Sequence, residues 1–198
     1  MLFQRRLKLL MISLMESDTA ISNGLLEGVR HISSPNQSAR PNAIGIDLLV
    51  IHNISLPPGK YGTGCIDELF CNSLNPNTHP SFAEIAEIKV SANLLINSEG
   101  DVTQYVPFDR KAWHAGKSVF NGRDNCNDYS IGIELEGTDF EDFTELQYES
   151  LVDVVKALQR EYPSLSSDRI VGHSDIAPGR KTDPGPCFKW SKLKQALA

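Results

Sequence analysis

Two segments of the chain have the hydrophobic patterns of buried β-strands. Residues 47–52 contain four consecutive apolar residues and end on a histidine, which is typical of a strand buried on both faces. Residues 130–136 alternate strictly, so that three apolar side chains face one side and Gly132, Glu134 and Glu136 face the other. We therefore predict two strands of a central sheet, one of which carries two acids on a single face.

Shorter runs predict three further strands. Residues 92–97 and 102–106 flank residues 98–101, whose Ser, Glu, Gly and Asp are typical of a turn. This arrangement predicts a β-hairpin. A short apolar pair at 170–171 predicts another strand, directly before a loop rich in proline and glycine.

Two segments have helical periodicity. Apolar side chains recur at helical spacing from 145 to 160, after Thr144 as a predicted N-cap with Gln147 three residues later. A closing helix is predicted at 189–197, with three side chains directed inward: Trp190, Leu193 and Leu197. Strands interrupted by helices, without an internal repeat, predict an α/β domain around one central sheet.

The chain length of 198 residues favours one domain. Residues 1–15 combine a basic start with a short apolar run, as in the first parts of a secretory signal, but the run is shorter than the ~20 residues of a membrane span. A start at Met11 or Met15 would remove this segment. We expect residues 1–20 to form an extension and residues 21–198 to form the domain.

The net charge and the cysteine spacing argue against several classes of function. The formal net charge of -6 argues against binding to nucleic acid phosphates or to anionic lipid. No two of the four cysteines form a C-x-x-C pair, so neither a zinc knuckle nor a thioredoxin-like motif is present. Reduced thiols in a cytosolic protein are the simpler interpretation, with a disulfide framework as the alternative. The segment 55–81, rich in Pro, Gly, Asn and Thr, predicts a long irregular loop that forms a binding wall.

Two of the five histidines have the same context. His52 ends one predicted strand and His173 closely follows another, so neighbouring strands would bring the two imidazoles together. Each alone is more often a satisfied hydrogen-bonding residue. Asp183 lies in the proline-stiffened loop after His173, and two histidines with one carboxylate form a normal ligand set for catalytic zinc.

Hydrolytic chemistry also needs a proton acceptor and an oxyanion donor. Zinc lowers the pKa of bound water to about 7, and either Glu134 or Glu136 could take the proton from the attacking water. Lys181 could donate to the oxyanion. The alternatives are a solvated strand face for the two acids and an ordinary surface position for the lysine.

Five sequence strings in this order resemble the AmpD family, the anhydro-muramyl-peptide amidases of cell-wall recycling. The resemblance runs from about Gly24 to the C-terminus, and its strings are residues 52–59, 104–109, 112–116, 126–138 and 172–186. It implies the fold of peptidoglycan-recognition proteins and phage amidases, a central mixed sheet flanked by helices.

The resemblance also implies an activity and a set of site residues. The activity is zinc-dependent hydrolysis of the amide bond between the lactyl group of N-acetylmuramic acid, preferably in its 1,6-anhydro form, and L-alanine. Carried over by position, the zinc ligands fall on His52, His173 and Asp183. The catalytic acid falls on Glu134 rather than Glu136, and the catalytic lysine falls on Lys181.

Positions that line the family's substrate groove match three residues here: Asn53, Trp113 and His114. The chain departs from the family pattern at Lys89, Asn93 and Asn125, where Arg, His and Arg are usual. Lysine offers a carboxylate only a point charge, and asparagine offers none, whereas arginine binds it in a bidentate way. We therefore expect Lys89 to contact substrate, with a weaker grip on the carboxylates of the peptide stem.

Two other functions are consistent with parts of this pattern. One is a non-catalytic muropeptide sensor, although such proteins typically lose a ligand or the catalytic acid. The other is a periplasmic amidase that acts on polymeric peptidoglycan, with the first 15 residues as an export signal. The favoured interpretation is a cytoplasmic, monomeric amidase that uses one zinc ion and an anhydro-muropeptide substrate.

Overall fold

A six-stranded mixed sheet lies at the centre of this computed structural model, which describes residues 19–42 and 44–198. The described strands are, in chain order, β1 (Ile21–Ser22), β2 (Leu25–Leu26), β3 (Arg30–His31), β4 (Gln37–Ala39), β5 (Leu48–Ile54), β6 (Leu94–Ile96), β7 (Val102–Gln104), β8 (Arg110–Ala112), β9 (Val119–Phe120), β10 (Arg123–Asp124), β11 (Ser130–Glu136) and β12 (Ile170–Gly172). The central sheet has the order β12–β5–β11–β6–β7–β3, and the other described strands form two-stranded pairs.

The pairing of the central strands determines which side chains meet. Strand β5 is parallel to both β11 and β12, whereas β6 and β7 are antiparallel and confirm the predicted hairpin. Glu134 of β11 is in register with His52 of β5, and Gly172 of β12 is in register with Ile51. Because paired residues of adjacent strands share a face, Glu134 lies beside His52 and His173 follows directly after the neighbouring strand.

The described helices are α1 (Cys65–Phe70), α2 (Glu145–Glu161), α3 (His173–Ile176) and α4 (Trp190–Ala196), with single 3₁₀ turns at Pro80–Phe82, Cys126–Asp128 and Ser167–Arg169. Helices α2 and α4 confirm the two predicted helices. The hydroxyl of Thr144 accepts from the backbone N–H of Gln147 at 3.1 Å, and the Gln147 side chain accepts from the Thr144 N–H at 3.0 Å. These two bonds form the capping box that starts α2.

The largest apolar cluster lies between α2 and one face of the central sheet. It includes Leu49, Ile51, Ile131, Ile133, Leu135, Leu151, Val155 and Leu158. The alternating pattern of β11 therefore predicted the packed face correctly. Since α2 covers this face, His52 and Glu134, which alternate with its apolar residues, are directed to the opposite side of the sheet.

The structure corrects two expectations. Strand β5 continues to Ile54, so His52 lies inside the strand and not at its end. The reason is that β11 pairs with β5 as far as the Glu136–Ile54 pair. The segment 55–81 is also not wholly irregular, because it contains α1 and the start of the 3₁₀ turn at Pro80–Phe82.

The predicted extension at 1–20 falls mostly outside the described residues. Within the described part, no helix is both long and apolar enough to cross a membrane. All four cysteines lie in that part and are free thiols, so the structure contains none of the disulfides that were the alternative.

Candidate active site

His52, His173 and Asp183 converge on one point. The Nδ1 atoms of the two histidines lie 3.0 Å apart, and Asp183 Oδ2 lies 2.9 Å from His52 Nδ1 and 3.0 Å from His173 Nδ1. The two imidazoles are buried and the carboxylate is 14% exposed. The sequence prediction that strand β5 and the segment after β12 bring these groups together is therefore confirmed.

Local backbone bonds hold the loop that carries Asp183. Its carbonyl accepts from the Ser174 N–H at 3.0 Å, which ties the loop back to α3. The carboxylate of Asp175 accepts from the Gly172 N–H at 2.7 Å and caps the start of α3. The Ala177 carbonyl accepts from the backbone N–H groups of Arg180 and Lys181, each at 3.1 Å. Asp183 therefore extends from a rigid support.

The protonation states of His52 and Asp183 suit the binding of a cation. Burial lowers the pKa of His52 to about 4, although its hydrogen bond to Asp183 opposes the shift. Burial would raise the pKa of Asp183, but its hydrogen bonds with His173 and His52 outweigh burial and lower it. At neutral pH the site thus offers a neutral imidazole and a carboxylate, the forms that bind a metal ion.

The donor set itself also fits a metal ion. The Nε2 atom of His173 lies 3.1 Å from the Ala115 carbonyl, which can only accept, and 3.4 Å from the Arg180 guanidinium, which already donates to that carbonyl at 2.7 Å. The shorter contact favours a proton on this nitrogen. In a neutral His173 the Nδ1 atom then presents a lone pair, at 3.0 Å from a carboxylate oxygen. Two acceptors at this distance need a shared proton or cation. Atoms of all three residues lie within 4.8 Å of one another and could hold one ion.

Glu134 and Glu136 have different surroundings although they share a strand face. The Oε2 atom of Glu134 is buried without a hydrogen-bond partner among the described residues. Burial, assisted by the charge of Asp183 and opposed by that of Lys181, raises the pKa of Glu134 well above its usual value. Glu136 instead accepts from the backbone N–H groups of Gly62 at 2.6 Å and Ser98 at 3.2 Å. Glu136 thus binds the backbone of two loops, whereas Glu134 keeps Oε2 available to accept a hydrogen bond.

These groups line two adjoining spaces. A cavity of about 210 Å³ is bounded by the three converging residues together with Glu134, Lys181 and His114. A more open groove of about 520 Å³ shares Asn53, Lys181 and Asp183 with the cavity. Lys181 is exposed, so its ammonium group lies at the junction of a buried polar site and a solvent-accessible groove.

The residues that were predicted to contact substrate differ in their exposure to solvent. The side chain of Asn53 lines both spaces and donates to Asp139 at 2.6 Å. Trp113 is half-buried, and its indole N–H donates to the Ser38 hydroxyl at 3.2 Å. Lys89 is exposed, next to a residue of the cavity wall. His114 is buried, and its two ring nitrogens lie 2.9 Å from His52 Nε2 and 3.1 Å from the Ser130 hydroxyl.

Two of the departures from the family pattern have local explanations. Asn93 is fully buried; its side chain accepts from the Gly132 N–H at 3.0 Å and donates to the Val106 carbonyl at 3.2 Å. Asn125 has a φ of 57°, a backbone conformation that asparagine tolerates better than most residues. Each amide thus suits its own position in the fold.

Sequence reasoning missed several groups around the site. The Ala115 carbonyl, the Ser130 hydroxyl and the Asn127 amide contact the histidines or the segment that carries His114. Phe140 is 84% exposed and lines the open groove. A carbonyl has no sequence signature, but an apolar residue four positions after a strand that carries acids was a signal that could have suggested Phe140.

The comparison with known proteins agrees with this geometry. A family model described as N-acetylmuramoyl-L-alanine amidase matches residues 40–186, more than half of the chain. The chain belongs to this amidase family. Its amidase relatives include the 1,6-anhydro-N-acetylmuramyl-L-alanine amidase AmpD of Enterobacter cloacae, which is 54% identical over 89% of this chain and 94% of its own length.

Solved structures of amidases have the same fold. A crystal structure of a selenomethionine derivative of AmpD superposes with a TM-score of 0.88 at 49% identity, covering 90% of this chain and 99% of its own. The amidase AmiD from Escherichia coli superposes with a TM-score of 0.58 at 30% identity, covering 79% of this chain and 60% of its own. That second structure is a complex with the substrate anhydro-N-acetylmuramic acid-L-Ala-D-gamma-Glu-L-Lys.

Proposed function

We propose that this protein is a zinc-dependent amidase of cell-wall recycling. It hydrolyses the amide bond between the lactyl group of N-acetylmuramic acid, preferably in its 1,6-anhydro form, and the L-alanine of muropeptides. The observation that carries the proposal is one cavity that joins the convergent His52, His173 and Asp183 to an acid, Glu134, with an unpartnered oxygen. The AmpD name of the 54% identical relative supports the substrate class.

His52, His173 and Asp183 would hold the zinc ion through two imidazole nitrogens and one carboxylate oxygen. When bound, zinc supplies Lewis acidity, which polarises the substrate carbonyl and makes water a nucleophile near neutral pH. The protein fixes these three groups on β5, α3 and the adjoining loop, so little reorganisation is needed for them to act together.

Glu134 is the proposed general base and acid. Its register with His52 places it in the cavity, and its free Oε2 can accept a proton from the attacking water. It then returns the proton to the departing nitrogen of alanine. Glu134 must be ionised for the first step, and the positive charge of Lys181 favours that state by lowering the pKa of Glu134.

Lys181 is the proposed oxyanion donor. Its exposed ammonium group lines both the cavity and the open groove, so it can reach a carbonyl oxygen that enters from the groove. A charged donor that faces the oxygen as it gains charge stabilises the transition state more than the ground state.

We further propose that the muropeptide enters along the groove that contains Asn53, with Trp113 as a wall and Lys89 near the carboxylates of the peptide stem. The ligand named in the AmiD complex supports an anhydro-muropeptide as the occupant. His114 lines the same cavity, but both of its ring nitrogens are hydrogen-bonded to protein groups, so a substrate would meet its ring carbons. The protein is proposed to act as a monomer in the cytoplasm.

The decisive experiment compares the wild type, Glu134→Gln and the control Glu149→Gln, which alters an exposed acid of α2. Zinc content is measured after gel filtration, and hydrolysis of paired anhydro and reducing muropeptides is followed by chromatography. We expect one zinc per chain in all three proteins and turnover in the wild type and the control. Glu134→Gln should lose at least ~10²-fold in turnover, the usual contribution of a general base.

Each contrary outcome identifies a different error. Near-normal turnover of zinc-loaded Glu134→Gln would remove Glu134 from the role of base. Binding of muropeptide by the zinc-loaded wild type without hydrolysis would indicate a sensor. Release of peptide from polymeric peptidoglycan in preference to muropeptides would indicate an amidase of the periplasmic type.

A further inference from the structure

Two adjacent residues of one loop contact both converging histidines from behind. His114 Nδ1 lies 2.9 Å from His52 Nε2, and the Ala115 carbonyl lies 3.1 Å from His173 Nε2. These are the ring nitrogens that do not approach Asp183. The state of each outer nitrogen therefore decides whether the inner nitrogen presents a lone pair to the site.

The two contacts differ in what they enforce. A carbonyl can only accept, so the Ala115 contact at 3.1 Å, which is shorter than the 3.4 Å from Arg180 to the same nitrogen, favours the proton of a neutral His173 on Nε2. The partner of His52 is itself a histidine, so the proton between them can belong to either ring. Only the arrangement in which His52 Nε2 donates to His114 Nδ1 leaves the inner nitrogen of His52 free to bind a cation.

Ser130 provides the partner that this polarity needs at the far side of His114. If His114 Nδ1 accepts, the neutral His114 ring carries its proton on Nε2, which lies 3.1 Å from the Ser130 hydroxyl. The hydroxyl oxygen can accept this proton. The chain of donors then runs from His52 through His114 to Ser130, and every buried ring nitrogen in it has a partner.

The position of the His114 ring is built into the fold. The side-chain oxygen of Asn127 accepts from the backbone N–H groups of His114 at 3.1 Å and Ala115 at 2.8 Å. Gly132 leaves room for the ring, since a Cβ there would lie only 2.5 Å from His114 Cγ. The guanidinium group of Arg40 donates to the Ser130 carbonyl at 2.8 Å and holds the backbone of Ser130, the last residue in this series of hydrogen bonds.

We propose that His114, supported by Ser130, is a positioning residue that holds His52 in its metal-binding tautomer. The proposal rests on the zinc site proposed above. It assigns His114 a task through His52 and requires no contact with substrate. Partners that orient a histidine ligand typically contribute 10–100-fold to metal affinity.

The test measures metal binding and not turnover. His114→Phe keeps an aromatic ring but removes the acceptor, whereas His114→Asn keeps an acceptor near the position of Nδ1. For each variant the zinc dissociation constant is measured by chelator competition, the cobalt-substituted protein is examined by absorption spectroscopy, and the melting temperature is measured without metal. Val155→Ala serves as the control, because it truncates a buried residue of α2 in the main apolar cluster.

We expect His114→Phe to weaken zinc binding by about 10–100-fold and to alter the cobalt spectrum, with His114→Asn restoring both to near wild type. Val155→Ala should lower the melting temperature without either change. Zinc binding by His114→Phe within twofold of the wild type would overturn the proposal, and so would an equal loss in His114→Asn. A wild type that binds no zinc would instead refute the metal site itself.

A second variant keeps the test decisive if His114→Phe does not fold. Ser130→Ala removes the acceptor at the end of the chain and leaves the His52–His114 contact in place. It should weaken zinc binding several-fold relative to the wild type. Unchanged zinc affinity in Ser130→Ala would show that the hydroxyl does not direct the protons of the two rings.

Discussion

The metal-free protein should lose stability in mild acid because His52 is buried as a neutral imidazole. Burial lowers the pKa of His52 from 6.5 to about 4. Between these values the unfolded chain binds a proton at His52 that the folded chain does not bind. The free energy of unfolding therefore falls as the pH falls through this window. Above pH 6.5 the contribution of His52 to the free energy of unfolding is fully present.

The size of the effect follows from the shift. A difference of about 2.5 pH units at 1.36 kcal/mol per unit predicts a loss of about 3 kcal/mol. The imidazole of His52 is only 1% exposed, so solvent screening does not reduce this figure appreciably. His114, whose pKa is also lowered by burial, adds a loss in the same direction.

Glu134 acts in the opposite direction. Burial raises its pKa above 4.5, so its protonated form stabilises the fold at low pH and this contribution is lost as the pH rises. Hydrogen bonds from the two histidines outweigh burial and lower the pKa of Asp183. Its contribution to the free energy of unfolding is therefore lost only as the pH falls below its usual pKa of 3.8. Comparison of the wild type with a variant at one position is needed to isolate His52.

The assay is urea unfolding of the wild type and of His52→Asn, with chelator present, at pH 7 and pH 4. His52→Asn removes the titrating group, so the stability lost between the two pH values should be about 3 kcal/mol smaller than in the wild type. An identical pH dependence in the two proteins would refute the reasoning, because it would show that His52 accepts a proton in the folded state as easily as in the unfolded state.

Three further substitutions test other parts of the structure. Lys181→Met should lower turnover by about 10²–10³-fold without lowering zinc content; unchanged turnover, followed by chromatography of the products, would contradict its role. Thr144→Ala should lower the free energy of unfolding in urea by about 1 kcal/mol through loss of the α2 cap, and an unchanged midpoint would contradict this. Gly132→Ala should lower it by about 1–3 kcal/mol, because the new Cβ would lie 2.5 Å from His114 Cγ; full stability would show that the ring can move.

The sequence was most informative where local periodicity and tertiary position agree. The alternation at 130–136 predicted the face of β11 that packs against α2, because every second residue of a strand shares one face. The convergence of His52 and His173 followed from two apolar runs that each lead into a histidine. Strand order was not readable in this way, since the place of β5 between β11 and β12 depends on contacts over 80 to 120 residues of chain.

The choice between Glu134 and Glu136 shows the limit of periodicity. Both acids have the same phase on β11, so alternation assigns them the same face. Their difference arises from loops that fold over the end of the strand and donate two backbone N–H groups to Glu136. Those donors are distant in sequence and carry no side-chain signature, so only the resemblance to a family distinguished the two acids in advance.

The register of the sheet connects stability and chemistry in this protein. Glu134 is beside His52 because β11 and β5 pair in one particular alignment. A slip of one residue would turn Glu134 toward α2 and direct Ile133 or Leu135 into the polar cavity, since neighbouring residues of a strand face opposite sides. Burial of the apolar face against α2 opposes that slip. The same packing that stabilises the domain therefore holds the proposed base against the proposed metal ligand, without a contact devoted to that purpose.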